Sequence, residues 1–295
     1  MLKRGFKIAL VQMKVGADKA QNIETAVREI HKAKSQGAHI VALPECFNSP
    51  YGTSFKIALV QMKVGADKAQ NIETAVREIH KAKSQGAHIV ALPECFNSPY
   101  GTKWFPEYAE EVPSGATSRA LGKLLAQHRK MHLFDIDIPD KITFRESEVL
   151  SAGDQITTFE YQGVKIGVGI CYDLRFSEMA HLMAKQGCSV LIYPAAFNMT
   201  TGPKHWELLA KARANDEQLW VALVSPARDT EAGYVAWGHS TLVDPWANVV
   251  AKLDEKPGTL LADVDLSIVE EVRSQIPVRV QRRTDVYDTV LKTKC

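Results

Sequence analysis

Short apolar runs alternate along the chain with longer stretches in which apolar residues recur at every third or fourth position, the order of strands joined by helices. The run FKIALVQM from Phe6 reads as a strand, Lys19–Ser35 as an amphipathic helix stopped at Gly37, and AHIVALPE as a second strand. A strand–helix–strand unit of this kind implies a parallel pair. Phe6–Thr53 then recurs unchanged as Phe55–Thr102, with only Ser54 between the copies, so the second unit predicts a helix over Lys68–Ser84 with its stop at Gly86. Solenoid repeats stack at least three diverged units. Two unchanged copies read instead as an exon duplication or an error in the assembled gene.

Downstream, Lys103–Gly115 is an aromatic loop, and Ala116–His128 has the pattern of a helix. An irregular segment follows, carrying Lys130 and Glu146. Ile156–Tyr161 and Val164–Ile170 read as a hairpin that delivers the chain to Cys171, with Asp173 at the N-cap of a helix over Phe176–Gln186. Cys188–Tyr193, Leu219–Val224 and His239–Val243 read as further strands around a helix at His205–Asn215. Val249–Leu253 and Thr259–Val264 read as a closing hairpin, Leu266–Arg273 as a short helix, and the tail beyond Pro277 as a polar, basic extension. The pattern predicts an α/β fold with parallel strands.

With 295 residues and a net charge of +2 from 36 basic and 34 acidic residues, the charge is balanced and unblocked, which argues against a nucleic-acid or anionic-membrane partner. The first residues lack the apolar length of a signal peptide, and no run approaches a membrane span, so a soluble, cytoplasmic protein is expected. Five cysteines, Cys46, Cys95, Cys171, Cys188 and Cys295, are odd in number and lack CxxC spacing, against a disulfide framework or a zinc site.

Candidate chemistry gathers at strand ends, where sites form in open α/β sheets. Cys171 stands at a strand-to-helix turn, whose N–H groups and helix dipole would lower a thiol pKa and suit an oxyanion. Glu45 and Glu94 end the second strand of each copy, after Pro. A carboxylate able to take a thiol proton, a lysine able to stabilise a tetrahedral anion, and a thiol together make an acyl-transfer site without histidine. His205 and His239 are read as packing residues rather than triad members, and GVGICY is no dinucleotide fingerprint because Tyr172 takes the third Gly's place.

LPECFNSPYG (Leu92–Gly101), RKMHLFDIDIP (Arg129–Pro139), GICYDLRF (Gly169–Phe176), YPAAFNMTTGPKHWELLAKARA and SPARDTEAGYVAWGHSTLVDPW resemble the nitrilase superfamily of carbon-nitrogen hydrolases, within it the omega-amidase branch. The resemblance implies an α-β-β-α sandwich that dimerises, a cytosolic and possible mitochondrial home, and a small-molecule amide substrate, with neither metal nor organic cofactor. It implies that Glu94 is the general base, Lys130 stabilises the tetrahedral intermediate, Cys171 attacks the amide carbon, and Glu146 supports the lysine. The Tyr172 N–H would share the oxyanion. For the distal carboxylate of a keto-acid amide such as alpha-ketoglutaramate or alpha-ketosuccinamate, the candidates are Arg175, Thr200 and Thr201; the alternative for Arg175 is an ion pair with Glu178.

The chain departs from the family between the helix and RKMH, where relatives have two strands and their turn and here His128 abuts Arg129. A helix layer lies about 10 Å from its sheet and two residues reach at most about 7 Å, so either that helix unravels or Lys130 is misplaced. Ala195 and Ala247 stand where relatives have Gly. The expected organisation is an appended copy at 1–54 and a nitrilase-like domain at 55–295. The expected activity is an omega-amidase, against an impaired nitrilase-like scaffold or an amidase acting on carbamoylated amines.

Overall fold

The computed structural model describes residues 7–11, 13, 19–38, 40–43, 54–122, 126–139 and 142–292. Glu45, Cys46 and Cys295 lie outside the described residues. The chain divides into two compact units, 1–53 and 54–295.

In the first unit, β1 (Ile8–Leu10) pairs in parallel with β2 (Ile40–Ala42) across α1 (Lys19–Ser35). Ala26 and Ala33 bury one stripe of α1, and Gly37 leaves the helix at φ +81°, a conformation open to glycine at little cost.

The second unit opens with the same elements, β3 (Ser54–Gln61), α2 (Lys68–Ser84) and β4 (Ile89–Ala91). Asp67 caps α2 by accepting the Gln70 N–H, which satisfies one of the four free donors of the first turn. Both helices have the bounds read from periodicity, because Ala75 and Ala82 set the buried stripe and Gly86 the stop.

Next come α3 (Phe105–Tyr108), α4 (Ala116–Leu121), the hairpin of β5 (Asp135–Ile138) and β6 (Ile142–Arg145), then β7 (Thr157–Tyr161), β8 (Val164–Val168), α5 (Ser177–Lys185) and β9 (Val190–Pro194). The chain ends through α6 (Gly202–Glu217), β10 (Trp220–Val224), β11 (Thr241–Val243), β12 (Val249–Lys252), β13 (Gly258–Asp265), α7 (Ser267–Gln275) and α8 (Val278–Gln281).

A six-stranded sheet runs β12-β11-β10-β9-β8-β7, with β8, β9 and β10 parallel. A three-stranded sheet runs β13-β3-β4. Alternation along each strand sends side chains to opposite faces, and the core shows both. Val190, Ile192, Trp220, Ala222 and Val224 pack with Ile57, Leu59, Leu260 and Val264 of the small sheet. Leu191, Tyr193, Val221 and Leu223 pack on Met179, Met183, Trp206 and Ala210 of α5 and α6. Ala75 of α2 covers Val60 and Met62. Helices thus lie outside two face-to-face sheets.

Three expectations from the pattern give way. The helix ends at Leu121, with Gly122 at φ +99°, and residues 126–130 are neither helix nor strand. The helix thus stops short of His128, which leaves chain length to bring Lys130 across. Val249–Leu253 and Thr259–Val264 do not pair: β12 joins β11 in one sheet and β13 joins β3 in the other, since periodicity fixes faces and not partners. Asp173 is not the cap of α5, because its carboxylate is taken by the Ile170 N–H and by His128 and His132.

Candidate active site

Four of the residues read from the sequence meet at one edge. Glu94 lies in the turn after β4, Glu146 begins the short 3-10 turn after β6, and Cys171 begins another after β8. Lys130 comes from the irregular segment 126–130. Its Nζ donates to Glu94 Oε1 at 3.1 Å and lies 2.8 Å from Glu146 Oε2. Glu146 also accepts the Tyr100 hydroxyl at 3.0 Å and the Phe134 N–H at 2.8 Å. Glu94 Oε2 accepts the Ala196 N–H at 3.2 Å, and the same carboxylate interacts electrostatically with the Cys171 thiol. One buried lysine thus joins two buried carboxylates, with further donors on both. Such satisfaction is what makes a buried charge cluster tolerable.

Burial pushes the Glu94 carboxyl up; Lys130 opposes this and Glu146 adds to it, and the outcome is upward. Burial and the Glu94 charge push the Cys171 thiol well up, against Lys130. Burial works against the Lys130 charge, but Glu94, Cys171 and Glu146 together hold it firmly protonated. The resting thiol is therefore protonated rather than poised as a thiolate. The expectation of a lowered thiol pKa is corrected: Cys171 opens a single 3-10 turn near a carboxylate, and desolvation with the Glu94 charge outweighs Lys130 and the Ala196 N–H. Cys171 sits at φ +46°, an uncommon conformation for a residue with a Cβ.

The surrounding wall is aromatic. Tyr100 packs at a tilt on Tyr234 with ring centroids 4.3 Å apart and stacks against Phe144 at 5.7 Å, and the Tyr234 hydroxyl donates to Ala196 O at 2.6 Å. Burial pushes both phenols well up, so both remain neutral donors. A cavity of about 60 Å³ touches Glu94, Tyr100, Ala196 and Tyr234, and one of about 310 Å³ reaches Glu94 and Glu146 from the side of α3 and α4. A larger hollow of about 520 Å³ lies elsewhere, beside His181, Glu217 and Tyr287. His181 and Arg282 in it are both engaged by Glu217.

Tyr172 and Arg175 follow the nucleophile on its turn. The Arg175 guanidinium lies over the Phe197 ring at 4.7 Å and the Tyr172 ring at 5.7 Å, and donates to His205 Nδ1 at 3.1 Å. Burial lowers the pKa of Arg175, and burial and the Arg175 charge lower that of His205. Among the described residues no carboxylate pairs with Arg175, and Glu178 accepts from Ser177 instead. Thr200 and Thr201 are placed differently: both N–H groups and the Thr201 hydroxyl donate to Asn198 Oδ1 in the turn ahead of α6. His239 bonds Leu253 O and Arg228, a loop-packing role. The sequence reading did not single out Tyr100, Tyr234 or His128. Tyr100 was within reach, since it lies in the LPECFNSPYG motif; His128 had no signal beyond abutting Arg129.

The carbon-nitrogen hydrolase family matches residues 7–55, 56–122 and 115–274, its N-terminal part being met once in each copy. Omega-amidase NIT2 of Xenopus tropicalis is 51% identical over 315 aligned positions, covering 96% of each chain. That of Homo sapiens is 47% identical over 320, covering 97% of this chain and 98% of the relative. Both alignments run longer than the 295 residues of this chain, so these relatives carry residues that it lacks. Among solved structures, Saccharomyces cerevisiae Nit3, a nitrilase-superfamily member, matches with TM-score 0.72 and 38% identity over 78% of this chain and 97% of its own. The Caenorhabditis elegans NitFhit protein matches with TM-score 0.72 and 29% identity over 82% of this chain and 68% of its own. The chain belongs to the carbon-nitrogen hydrolase family, within the nitrilase superfamily, and is an amide-hydrolysing enzyme.

Proposed function

We propose that this enzyme hydrolyses the terminal amide of 2-oxo dicarboxylic acid monoamides, alpha-ketoglutaramate and alpha-ketosuccinamate, to the 2-oxo acid and ammonia through a Cys171 thioester. The observation that carries the reading is Lys130 Nζ bridging Glu94 and Glu146 beside the thiol, despite the shortened connection before Arg129. Glu94 takes the Sγ proton as Sγ attacks the amide carbon, and Lys130 with the Tyr172 N–H receives the oxyanion. The proton on Glu94 passes to the amide nitrogen, the C–N bond breaks and ammonia leaves. Water then gives its proton to Glu94 and attacks the thioester, and Sγ departs with that proton. Glu146 holds the lysine charged and in place.

Arg175 is the residue for the distal carboxylate, being a half-buried guanidinium without a protein carboxylate among the described residues. The similarity to relatives named omega-amidase supports the substrate class. The catalytic domain is 55–295, with 1–54 an appended copy, and the enzyme works as a cytoplasmic homodimer without a metal or organic cofactor.

The test is ammonia release from alpha-ketoglutaramate, alpha-ketosuccinamate and an N-carbamoyl amine by the purified chain. The expected result is release from the two keto-acid amides, abolished in Cys171→Ala, with KM raised at least about tenfold in Arg175→Met. Turnover of the carbamoyl amine alone would move the enzyme to another amidase class. A folded chain that releases no ammonia would be an impaired scaffold.

A further inference from the structure

Lys130 lies in a segment, 126–130, that is not a strand, yet its Nζ stands within hydrogen-bond distance of two buried carboxylates. Something else must hold its backbone. Two bonds tie the segment to residues 151–153, Gly153 N–H to Lys130 O at 2.8 Å and the neighbouring Arg129 Nη2 to Ser151 O at 3.3 Å. The flanking histidines bond a fully buried carboxylate, that of Asp173. Its Oδ1 accepts the His132 N–H at 2.9 Å and the His132 Nδ1–H at 2.8 Å, and its Oδ2 accepts the Ile170 N–H at 2.9 Å and His128 Nε2–H at 3.2 Å.

These four bonds have a common geometry. His128 and His132 lie two residues either side of Lys130, and Ile170 immediately precedes Cys171. His128 is itself buried and reaches β7 through Nδ1, 3.0 Å from Thr157 Oγ1. We infer that Asp173, with His128 as its partner, is the positioning residue that fixes the Lys130 segment against the Cys171 turn. Neither group touches the reacting atoms. Each acts through Lys130, whose charge must sit where the oxyanion forms, and a displacement of about 1 Å there is enough to cost about a hundredfold in rate. His128 matters because the connection before Arg129 is short: the residue that abuts the motif supplies the anchor that a strand would otherwise give.

The inference rests on Cys171 and Lys130 acting together, and is tested by two readouts. Asp173→Asn keeps the volume but removes half of the acceptor capacity. His128→Leu removes the donor, and His128→Gln restores an N–H at about the same reach. In amide hydrolysis, kcat is expected to fall about 10- to 100-fold in Asp173→Asn and His128→Leu with KM within about threefold, and His128→Gln to recover most of the loss.

Hydrogen–deuterium exchange of the resting protein reads the same anchor without any substrate. Residues 126–134 are expected to exchange at least about tenfold faster in both impaired variants while β10 is unchanged. Should Asp173→Asn not fold, the His128 pair decides. Unchanged exchange at 126–134 overturns the inference, as does a kcat that falls equally in His128→Gln and His128→Leu. An inactive wild-type chain would overturn the amidase reading alone, and the exchange measurement would still settle the anchor.

Discussion

Leu10 and Leu59 occupy the same position in two identical segments, yet Leu59 is fully buried and Leu10 is 82% exposed. β3 is flanked on both sides, and Leu59 pairs with Leu260 of β13 against the large sheet. Among the described residues β1 pairs with β2 alone. Leu59→Ala should therefore cost about 2–5 kcal/mol of unfolding free energy, while Leu10→Ala should stay within about 0.5 kcal/mol. Urea denaturation of the two variants compares them directly, and equal losses would mean that the first copy shares in the main core.

In the proposed mechanism Glu94 takes the thiol proton and so must be ionised, and its burial and the nearby Glu146 raise its pKa against the pull of Lys130. The acid limb of kcat/KM should accordingly lie above the ordinary glutamate value of about 4.3. Glu146→Gln removes one raising charge and should move that limb downward. Initial rates across pH 4 to 9, on the order of two per pH unit, resolve the shift; a limb that Glu146→Gln leaves in place would mean that some other group titrates.

Burial pushes the Asp173 carboxyl up, but the bonds from His128, the Ile170 N–H and His132 outweigh it and hold the pKa below the usual aspartate range. A group depressed in the folded state adds stability above its unfolded pKa of about 3.9, and that stability is lost as pH falls through the folded value. Asp173→Asn should be less stable than wild type at neutral pH by about 1–3 kcal/mol. The two stability curves should draw together below about pH 4, and thermal unfolding from acid to neutral pH follows them.

Gly153 lies so close to the lysine segment that a Cβ there would stand 2.1 Å from Arg129 O and 2.8 Å from its carbonyl carbon. Backbone cannot yield as a flexible side chain can. Gly153→Ala should cost about 1–3 kcal/mol and lower kcat on the order of tenfold or more by displacing Lys130. Ala152→Ser, at an exposed neighbouring position, is the control and should change neither.

The sequence by itself determined which segments form strands and helices and which residue types stand at their ends. The apolar runs of β3, β8, β9 and β10, the helix bounds of α1 and α2, and the place of Cys171 in the turn after β8 are local properties, set by side-chain periodicity, Gly stops and turn chemistry. Only the tertiary structure decided partners and environment. Val249–Leu253 and Thr259–Val264 read as one hairpin because alternation does not say which sheet a strand joins. Ala116–His128 read as one helix because its periodicity gave no weight to the left-handed Gly122. Cys171 gave no sign in sequence that burial beside Glu94 would raise its thiol pKa, since desolvation belongs to the assembled site. Leu10 and Leu59 put the division most plainly: identical neighbours along the chain give both a strand, and only contacts made across the fold bury one and leave the other in water.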